Sequence, residues 1–158
     1  MPDTNQTAGF AAIDITPWSG ETPDEVLAAG AREYSVAEAK AIVRRFAEVT
    51  TSCDADAFVQ GFTEDCVVSY NEHANITGRE ALRAFMAPRF AGFERPEVRF
   101  LCRKVLRSLT GNVFGVIWVN HWIDAKTQKP MRSKGLEFWN MRDGRIARWD
   151  AALWAWRM

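Results

Sequence analysis

The stretch "VIWVNHWID", residues 116–124, concentrates side chains that could bind or transform a small molecule. Trp118, Asn120 and Trp122 occupy every second position, so on a β-strand they share one face, and His121 points to the other. Bulky aromatics around a single amide are typical of a small-molecule cavity, although a tryptophan stripe also fits an ordinary core. The amide favours a cavity, because a buried amide needs a partner that a ligand or a water could supply. His121 is therefore not expected to be catalytic.

A second polar group, residues 70–73, follows the strand-like segment "DCVVSY" (65–70). Tyr70 and His73 are the candidate proton-transfer residues, since a histidine with an ordinary pKa near 6.5 can exchange protons near neutrality. The alternative is that "NEHANITG" is only an irregular polar loop leading into a capped helix. No metal site is expected, because the two histidines lie far apart and share no ligand motif. No glycine-rich phosphate loop is present, and "GNVFGV" (111–116) indicates a hairpin turn.

The composition of the chain limits which binding partners and which compartment can be expected. The chain has 158 residues, 47% hydrophobic, which suits one core, and its 20 basic and 20 acidic residues cancel. A net charge of zero gives no reason to expect nucleic acid or an anionic membrane. Three cysteines without pairing or ligand spacing, and no signal peptide or membrane-spanning run, predict reduced thiols and a cytoplasmic protein.

Capping and periodicity predict the elements that position these side chains. Residues 1–21 form an N-terminal arm, and 22–158 form one domain in which 22–34 add an extra helix after the Thr22-Pro23 start signal. Helices follow the capping boxes at Ser35 and Thr77, with a short helix from Asp54 between them. From Pro96 the period changes from 3.6 to 2, which predicts strands near 97–108, 113–124, 131–141 and 145–154.

This order, together with "FTEDCVVSYNEHANITGREALRAFM" (62–86) and "GRIARWDAAL" (144–153), resembles the nuclear transport factor 2-like superfamily. Within it the chain is similar to the SnoaL-like, polyketide cyclase-like branch, near uncharacterised bacterial members. The resemblance implies an α+β fold in which a cone-shaped, curved, mixed or antiparallel sheet wraps around three helices from the N-terminal half, a cystatin-like α+β barrel. It does not imply one function, because this superfamily hosts several chemistries and non-catalytic binders.

The resemblance also implies which face is concave. On that side it places Phe46, Trp118, Asn120, Trp122, Leu136, Phe138, Trp149 and Ala151, and it leaves His121 outside, beside Glu137 and Asp150 if they too face outward. Lys134 would then reach the cavity mouth and hold an anionic substrate, unless it is an ordinary edge lysine.

Two known enzyme classes of the superfamily use catalytic residues that this sequence lacks at the aligned positions. Ketosteroid isomerases use a tyrosine and two acids at positions that align with Phe46, Tyr70 and Leu136. Limonene epoxide hydrolases use an arginine and two aspartates at positions that align with Trp118, Asn120 and Ala151. No carboxylate is then expected inside the cavity, unless a bulge turns Asp150 inward.

The sequence therefore predicts a cofactor-independent lyase, isomerase or cyclase that acts on a small apolar or polyketide-like substrate. Tyr70 and His73 would transfer protons, and Asn120 would hold a carbonyl or hydroxyl. The alternative is a non-catalytic ligand-binding or pathway-accessory protein that uses the same cavity. A homodimer is expected through the outer sheet face carrying Ile117, Val119 and His121, because a flat β-branched surface would otherwise be exposed.

Overall fold

The computed structural model describes residues 32–71, 73–100, 106–107 and 112–158. The predicted arm (1–21) and most of the predicted extra helix (22–34) lie outside these residues, and residues 32–35 form no regular element. Three helices follow: α1 (Val36–Ser52), α2 (Ala55–Val59) and, after two strands, α3 (Arg79–Ala91). Among the described residues no helix is both long and apolar enough to span a membrane.

Local signals explain where the helices begin. At α1 the Ser35 hydroxyl accepts from Glu38 N at 3.2 Å, and Glu38 Oε2 accepts from Ser35 N at 2.8 Å, which is the predicted capping box. Asp54 caps α2 by accepting from Ala57 N at 2.9 Å. The capping box predicted at Thr77 is wrong: the N-cap of α3 is Gly78, which has a φ of 84° and no side-chain cap.

The strands are β1 (Phe62–Tyr70), β2 (His73–Thr77), β3 (Phe93–Phe100), β4 (Leu106–Arg107), β5 (Val113–Asp124), β6 (Pro130–Arg142) and β7 (Arg145–Arg157). They form one sheet in the order β2-β1-β7-β6-β5-β3, with β4 paired to β5. Among the described strands, β1 and β7 are the one parallel pair. The α+β fold with a curved mixed sheet is confirmed. Two details differ. The segment predicted as an irregular loop at "NEHANI" contains β2, and β3 begins at Phe93 instead of near residue 97.

The inner sheet face packs against the three helices. The packed side chains are mostly aromatic: Phe46 on α1 lies 4.5 Å from Trp139 and 6.0 Å from Trp149, between ring centroids. Phe58 on α2 and Phe62 on β1 complete this layer, with their ring centroids 5.3 Å apart. These rings form a packed aromatic layer, and Phe46, Phe58 and Trp149 also line a cavity beside it.

Candidate active site

The cavity has a volume of about 300 Å³ and lies between α1, α3 and the inner face of the sheet. Its walls are largely aromatic, formed by Phe46, Phe58, Tyr70, Phe90, Phe93, Trp118, Trp122 and Trp149. A few polar side chains interrupt them: Thr50, Asn71, Arg89, Asn120, Ser133 and Glu137. A second groove of about 360 Å³, between α1, α2 and the β6–β7 turn, has no carboxylate in its lining. The first cavity is therefore the candidate site.

Glu137 is the central polar group of this cavity. It lies in the middle of β6, between Val116 on β5 and Ala151 on β7, and only 2% of its surface is exposed. The indole N–H of Trp118 donates to Glu137 Oε1 at 2.6 Å, and that of Trp139 donates to Oε2 at 2.7 Å. Each oxygen thus has a donor, so the carboxyl group is fixed in one orientation.

Gly135 makes the Trp118 contact possible. It pairs with Trp118 across β5 and β6, and a Cβ at this position would lie 2.5 Å from the Trp118 ring. Because glycine lacks that atom, the indole can lie over β6 and reach Glu137.

Burial raises the pKa of Glu137 to about 7, because removal from water disfavours the charged form. The indole N–H groups of Trp139 and Trp118 oppose this rise, since their hydrogen bonds favour the carboxylate. Trp149 adds a weaker effect of the same sign, but its Nε1 makes no hydrogen bond of normal geometry with any described residue. A carboxyl group that ionises near neutral pH can both accept and return a proton.

Tyr70 lies at the end of β1, against the rings of Phe85 and Trp149. Burial raises the pKa of the Tyr70 phenol, the negative charge of Glu137 raises it further, and the Arg89 guanidinium opposes the rise. Tyr70 therefore stays protonated at neutral pH and can donate a hydrogen bond. Asn120, on β5, is 5% exposed, and its Oδ1 has no hydrogen-bond partner among the described residues. A ligand hydroxyl or a water could satisfy this acceptor.

The structure brings together six of the side chains predicted for the cavity: Phe46, Tyr70, Trp118, Asn120, Trp122 and Trp149. Their roles toward a substrate stay predictions. His73 does not line the cavity: it is exposed on β2, with its ring 5.3 Å from that of Phe85. The expectation that His73 reaches a substrate in the cavity is not supported by this placement.

The predicted facing of β6 is wrong. Lys134, Leu136 and Phe138 lie on the outer face, with Leu136 39% and Phe138 45% exposed, whereas Ser133, Gly135, Glu137 and Trp139 face inward. The register explains this, because cross-strand partners share a face and Asn120 on β5 pairs with Ser133 on β6. An even-numbered inner face on β5 therefore requires an odd-numbered one on β6.

This inversion also overturns the expectation that no carboxylate faces the cavity. Glu137 was expected outside, beside His121, and the predicted exception was Asp150 turned inward by a bulge. A bulge does occur, where Asn140–Met141 pairs with Arg148–Ile146, but it places Ile146 in the core. Asp150 instead pairs with Arg148, with Nε 2.9 Å from Oδ2. His121 lies outside the cavity wall, as expected.

Comparisons with known proteins agree with this architecture. A sequence model of the SnoaL-like domain matches residues 43–149. A Xanthomonas campestris protein assigned as a polyketide cyclase is 24% identical, with a TM-score of 0.61 over 72% of this chain and 88% of that one. A Bacillus subtilis protein assigned as an isomerase is 20% identical, with a TM-score of 0.65 over 73% and 86%.

A computationally designed binder of 17-OHP also has this fold, at 16% identity and a TM-score of 0.60 over 74% of this chain and 96% of the other. No functionally curated protein matches this chain. At these identities the structural likenesses show the fold alone.

Proposed function

This chain belongs to the SnoaL-like domain family, and on that basis we propose that it is an enzyme that moves a proton on a small, largely apolar substrate. The observation that carries the proposal is Glu137, a cavity-wall carboxyl group held by two indole N–H groups. Isomerisation, elimination and ring closure of carbonyl compounds share one elementary step, the removal of a proton from the carbon beside the carbonyl. The proposed reaction class is therefore a lyase, isomerase or cyclase that needs no cofactor.

In this mechanism the Glu137 carboxylate takes the proton from the carbon next to the substrate carbonyl. The C–H electron pair moves to form the enolate, and the Tyr70 hydroxyl donates a hydrogen bond to the developing oxyanion. Glu137 then returns the proton to another atom of the substrate, so the enzyme ends unchanged. With a pKa of about 7, Glu137 populates both forms near neutrality, which suits both steps. Glu137 thus replaces His73 as the candidate proton carrier.

The cavity limits the substrate in size and polarity. A volume of about 300 Å³ corresponds to the space of about ten water molecules, which admits a molecule of one or two rings. The aromatic walls favour a flat apolar body, and Asn120 offers one buried acceptor to a substrate hydroxyl. These features support a ring-containing or polyketide-like carbonyl compound.

A second candidate is a non-catalytic ligand-binding protein that uses the same cavity. The specific observation in its favour is the designed 17-OHP binder, which shows that this fold can serve binding. Under this proposal Glu137 would only anchor a ligand hydroxyl.

Proton exchange distinguishes the two candidates. The protein is incubated in D₂O with β-tetralone, a bicyclic ketone with acidic protons beside its carbonyl, and loss of those proton signals is followed by NMR. The enzyme proposal expects exchange above buffer, and Glu137→Gln should slow it by about a hundredfold or more, the range for general acid–base catalysis. Glu64→Gln, at an exposed glutamate on β1, is the control and should keep the rate. A wild-type protein that binds β-tetralone without accelerating exchange would favour the binding protein.

We also propose a homodimer through the outer sheet face. The apolar side chains on this face are unusually exposed for a monomer: Ile117 38%, Leu136 39%, Phe138 45%, Trp154 63% and Trp156 42%. Ile117 pairs with Leu136 across β5 and β6, and Phe138 is the next outward side chain on β6. Trp154 on β7 pairs with Lys134, the outward neighbour of Leu136 on β6. A second copy of the same face would remove this apolar surface from water.

A further inference from the structure

Arg89 is the one cation in the described part of the cavity wall, and it has no acidic partner there. It lies in the last turn of α3 and is half-buried. Its guanidinium carbon is 3.4 Å from the centroid of the Phe85 ring and 5.7 Å from that of Tyr70. Its Nη1 donates to the Phe85 carbonyl oxygen at 2.7 Å, and it forms no ion pair with any described residue.

The geometry leaves most of the Arg89 donors unused. A guanidinium carries five N–H groups in one plane, and stacking on Phe85 occupies the face of that plane rather than its edge. The single bond to the Phe85 carbonyl satisfies one donor and fits the preference of a helix C-terminus for a cation. The remaining in-plane donors suit the two oxygens of a carboxylate, which a guanidinium binds in a fork geometry.

We infer that the cavity takes a substrate that carries a carboxylate, with this group on the Arg89 guanidinium and the apolar body toward the indoles around Glu137. This inference rests on the proposed function, because it concerns the same cavity. It also sets the orientation of the substrate, since a second carboxylate beside the buried Glu137 would be repelled by it. The Arg89 guanidinium carbon is 5.7 Å from the centroid of the Tyr70 ring, and Tyr70 and Glu137 line the same cavity. Arg89 is thus a specificity-determining residue, and the reacting carbon lies toward Glu137.

The test compares two probes of nearly equal shape, β-naphthoate and the neutral β-naphthamide, by calorimetric titration at pH 8. The wild-type protein should bind the acid about tenfold or more tightly than the amide, the ratio expected for one charge-assisted contact. Arg89→Met keeps most of the length of the side chain but loses its charge, so it should abolish the preference, because it should weaken binding of the acid far more than binding of the amide. Arg89→Lys should keep part of the preference, because it keeps the charge without the fork.

Arg83→Met is the matched control, because Arg83 is an exposed arginine of the same helix that pairs with Asp56, and it should keep the full preference. Equal binding of acid and amide to the wild-type protein would overturn the inference, and so would an Arg89→Met protein that still prefers the acid. If Arg89→Met does not fold, Arg89→Lys provides the test. An Arg89→Lys protein with an undiminished preference for the acid would contradict the fork-shaped contact between the guanidinium and the carboxylate.

The failure of this inference can be distinguished from failure of the proposed function. Binding of β-naphthamide without acid preference, together with Glu137-dependent exchange of β-tetralone, would remove only the carboxylate contact. Acid preference without any proton exchange would keep the Arg89 contact and remove the proposed enzyme. Binding of neither probe at millimolar concentration would overturn both the carboxylate inference and the ligand cavity on which it rests.

Discussion

The two faces of β6 invert the usual distribution of side chains. The inner face carries Ser133, Gly135 and the carboxyl group of Glu137, whereas the outer face exposes Leu136 and Phe138. The inner carboxyl group is tolerated because indole N–H groups occupy both of its oxygens, which offsets part of the cost of burial. On the outer face Leu136 and Phe138 remain 39% and 45% exposed. A polar group inside and apolar groups outside can thus both indicate function, the first as a site and the second as an interface.

The largest expected effect on stability is that of Trp139→Ala, and it is compared with Trp154→Ala on the opposite face of the sheet. Trp139 is fully buried and donates to Glu137, so Trp139→Ala should lower the free energy of unfolding by about 3–5 kcal/mol. Trp154 is 63% exposed, so Trp154→Ala should cost the single protomer less than about 1 kcal/mol. Urea denaturation followed by circular dichroism measures both values.

Protein concentration sharpens this contrast. If the outer face forms the dimer interface, the loss caused by Trp154→Ala should depend on protein concentration, because dissociation is then coupled to unfolding. The loss of unfolding free energy caused by Trp139→Ala, relative to the wild-type protein, should be independent of protein concentration. Equal losses for the two variants at every concentration would contradict the assignment of the two faces.

The pKa of Glu137 predicts a pH dependence of stability. Because Glu137 ionises at about 7 in the folded protein instead of about 4.5, the folded state binds more protons than the unfolded chain between these values. The free energy of unfolding should therefore fall as the pH rises from about 4.5 to about 7. The pKa difference corresponds to about 3 kcal/mol.

Glu137→Gln should remove this dependence, even if its amide, which offers one acceptor to two indole donors, makes the variant less stable at pH 5. Urea denaturation of both proteins from pH 4.5 to 8 gives the measurement, with Glu64→Gln as the exposed control. Parallel curves for wild type and Glu137→Gln would show that Glu137 titrates normally.

Much of the fold could be predicted from the sequence, because local signals determine it. The Ser35–Glu38 capping box begins α1, and β5 has the predicted bounds 113–124. Asp143-Gly144, a residue pair typical of tight hairpin turns, joins β6 to β7, with positive φ angles of 49° and 75°. The capping box predicted at Thr77 is absent because Gly78 is the N-cap residue of α3, and the turn into α3 requires its positive φ of 84°. Local chemistry was therefore sufficient for the elements.

The facing of β6 could not be predicted from local chemistry. Apolar Leu136 and Phe138 satisfied the rule that apolar side chains face inward, and nothing adjacent to Glu137 reveals Trp118, which is 19 positions away. The register depends on the β5–β6 turn, where Ile123 pairs with Pro130. The available signal was Gly135 within a strand, since an interior glycine indicates the close approach of another group.

The proposed dimer can be tested on the outer face of the same strand. Phe138→Glu places a charge among exposed apolar side chains, and it should weaken association by about 2 kcal/mol or more if they form the centre of an interface. Light scattering should then show monomers at concentrations where the wild-type protein is dimeric. Lys40→Glu, at an exposed residue of α1 away from this face, is the control for a change of charge. Val119 is less suitable because it is only 4% exposed, so a charge there would also disturb the protomer. A wild-type protein that is monomeric would contradict the dimer.

The smallest expected effect on stability concerns the neighbours Asn120 and His121, which point to opposite sides of β5. Asn120→Leu removes a buried acceptor that lacks a partner, so the free energy of unfolding should change by less than about 1 kcal/mol. The affinity for a hydroxyl-bearing ligand such as β-naphthol should nevertheless fall by about 1–3 kcal/mol, because the hydroxyl loses its acceptor. His121→Ala should change neither quantity appreciably, since His121 does not line the cavity. Tryptophan fluorescence can follow the titrations, because Trp118 and Trp122 lie in the cavity wall. The opposite result, with His121→Ala weakening β-naphthol binding and Asn120→Leu leaving it intact, would place the ligand on the outer face of the sheet.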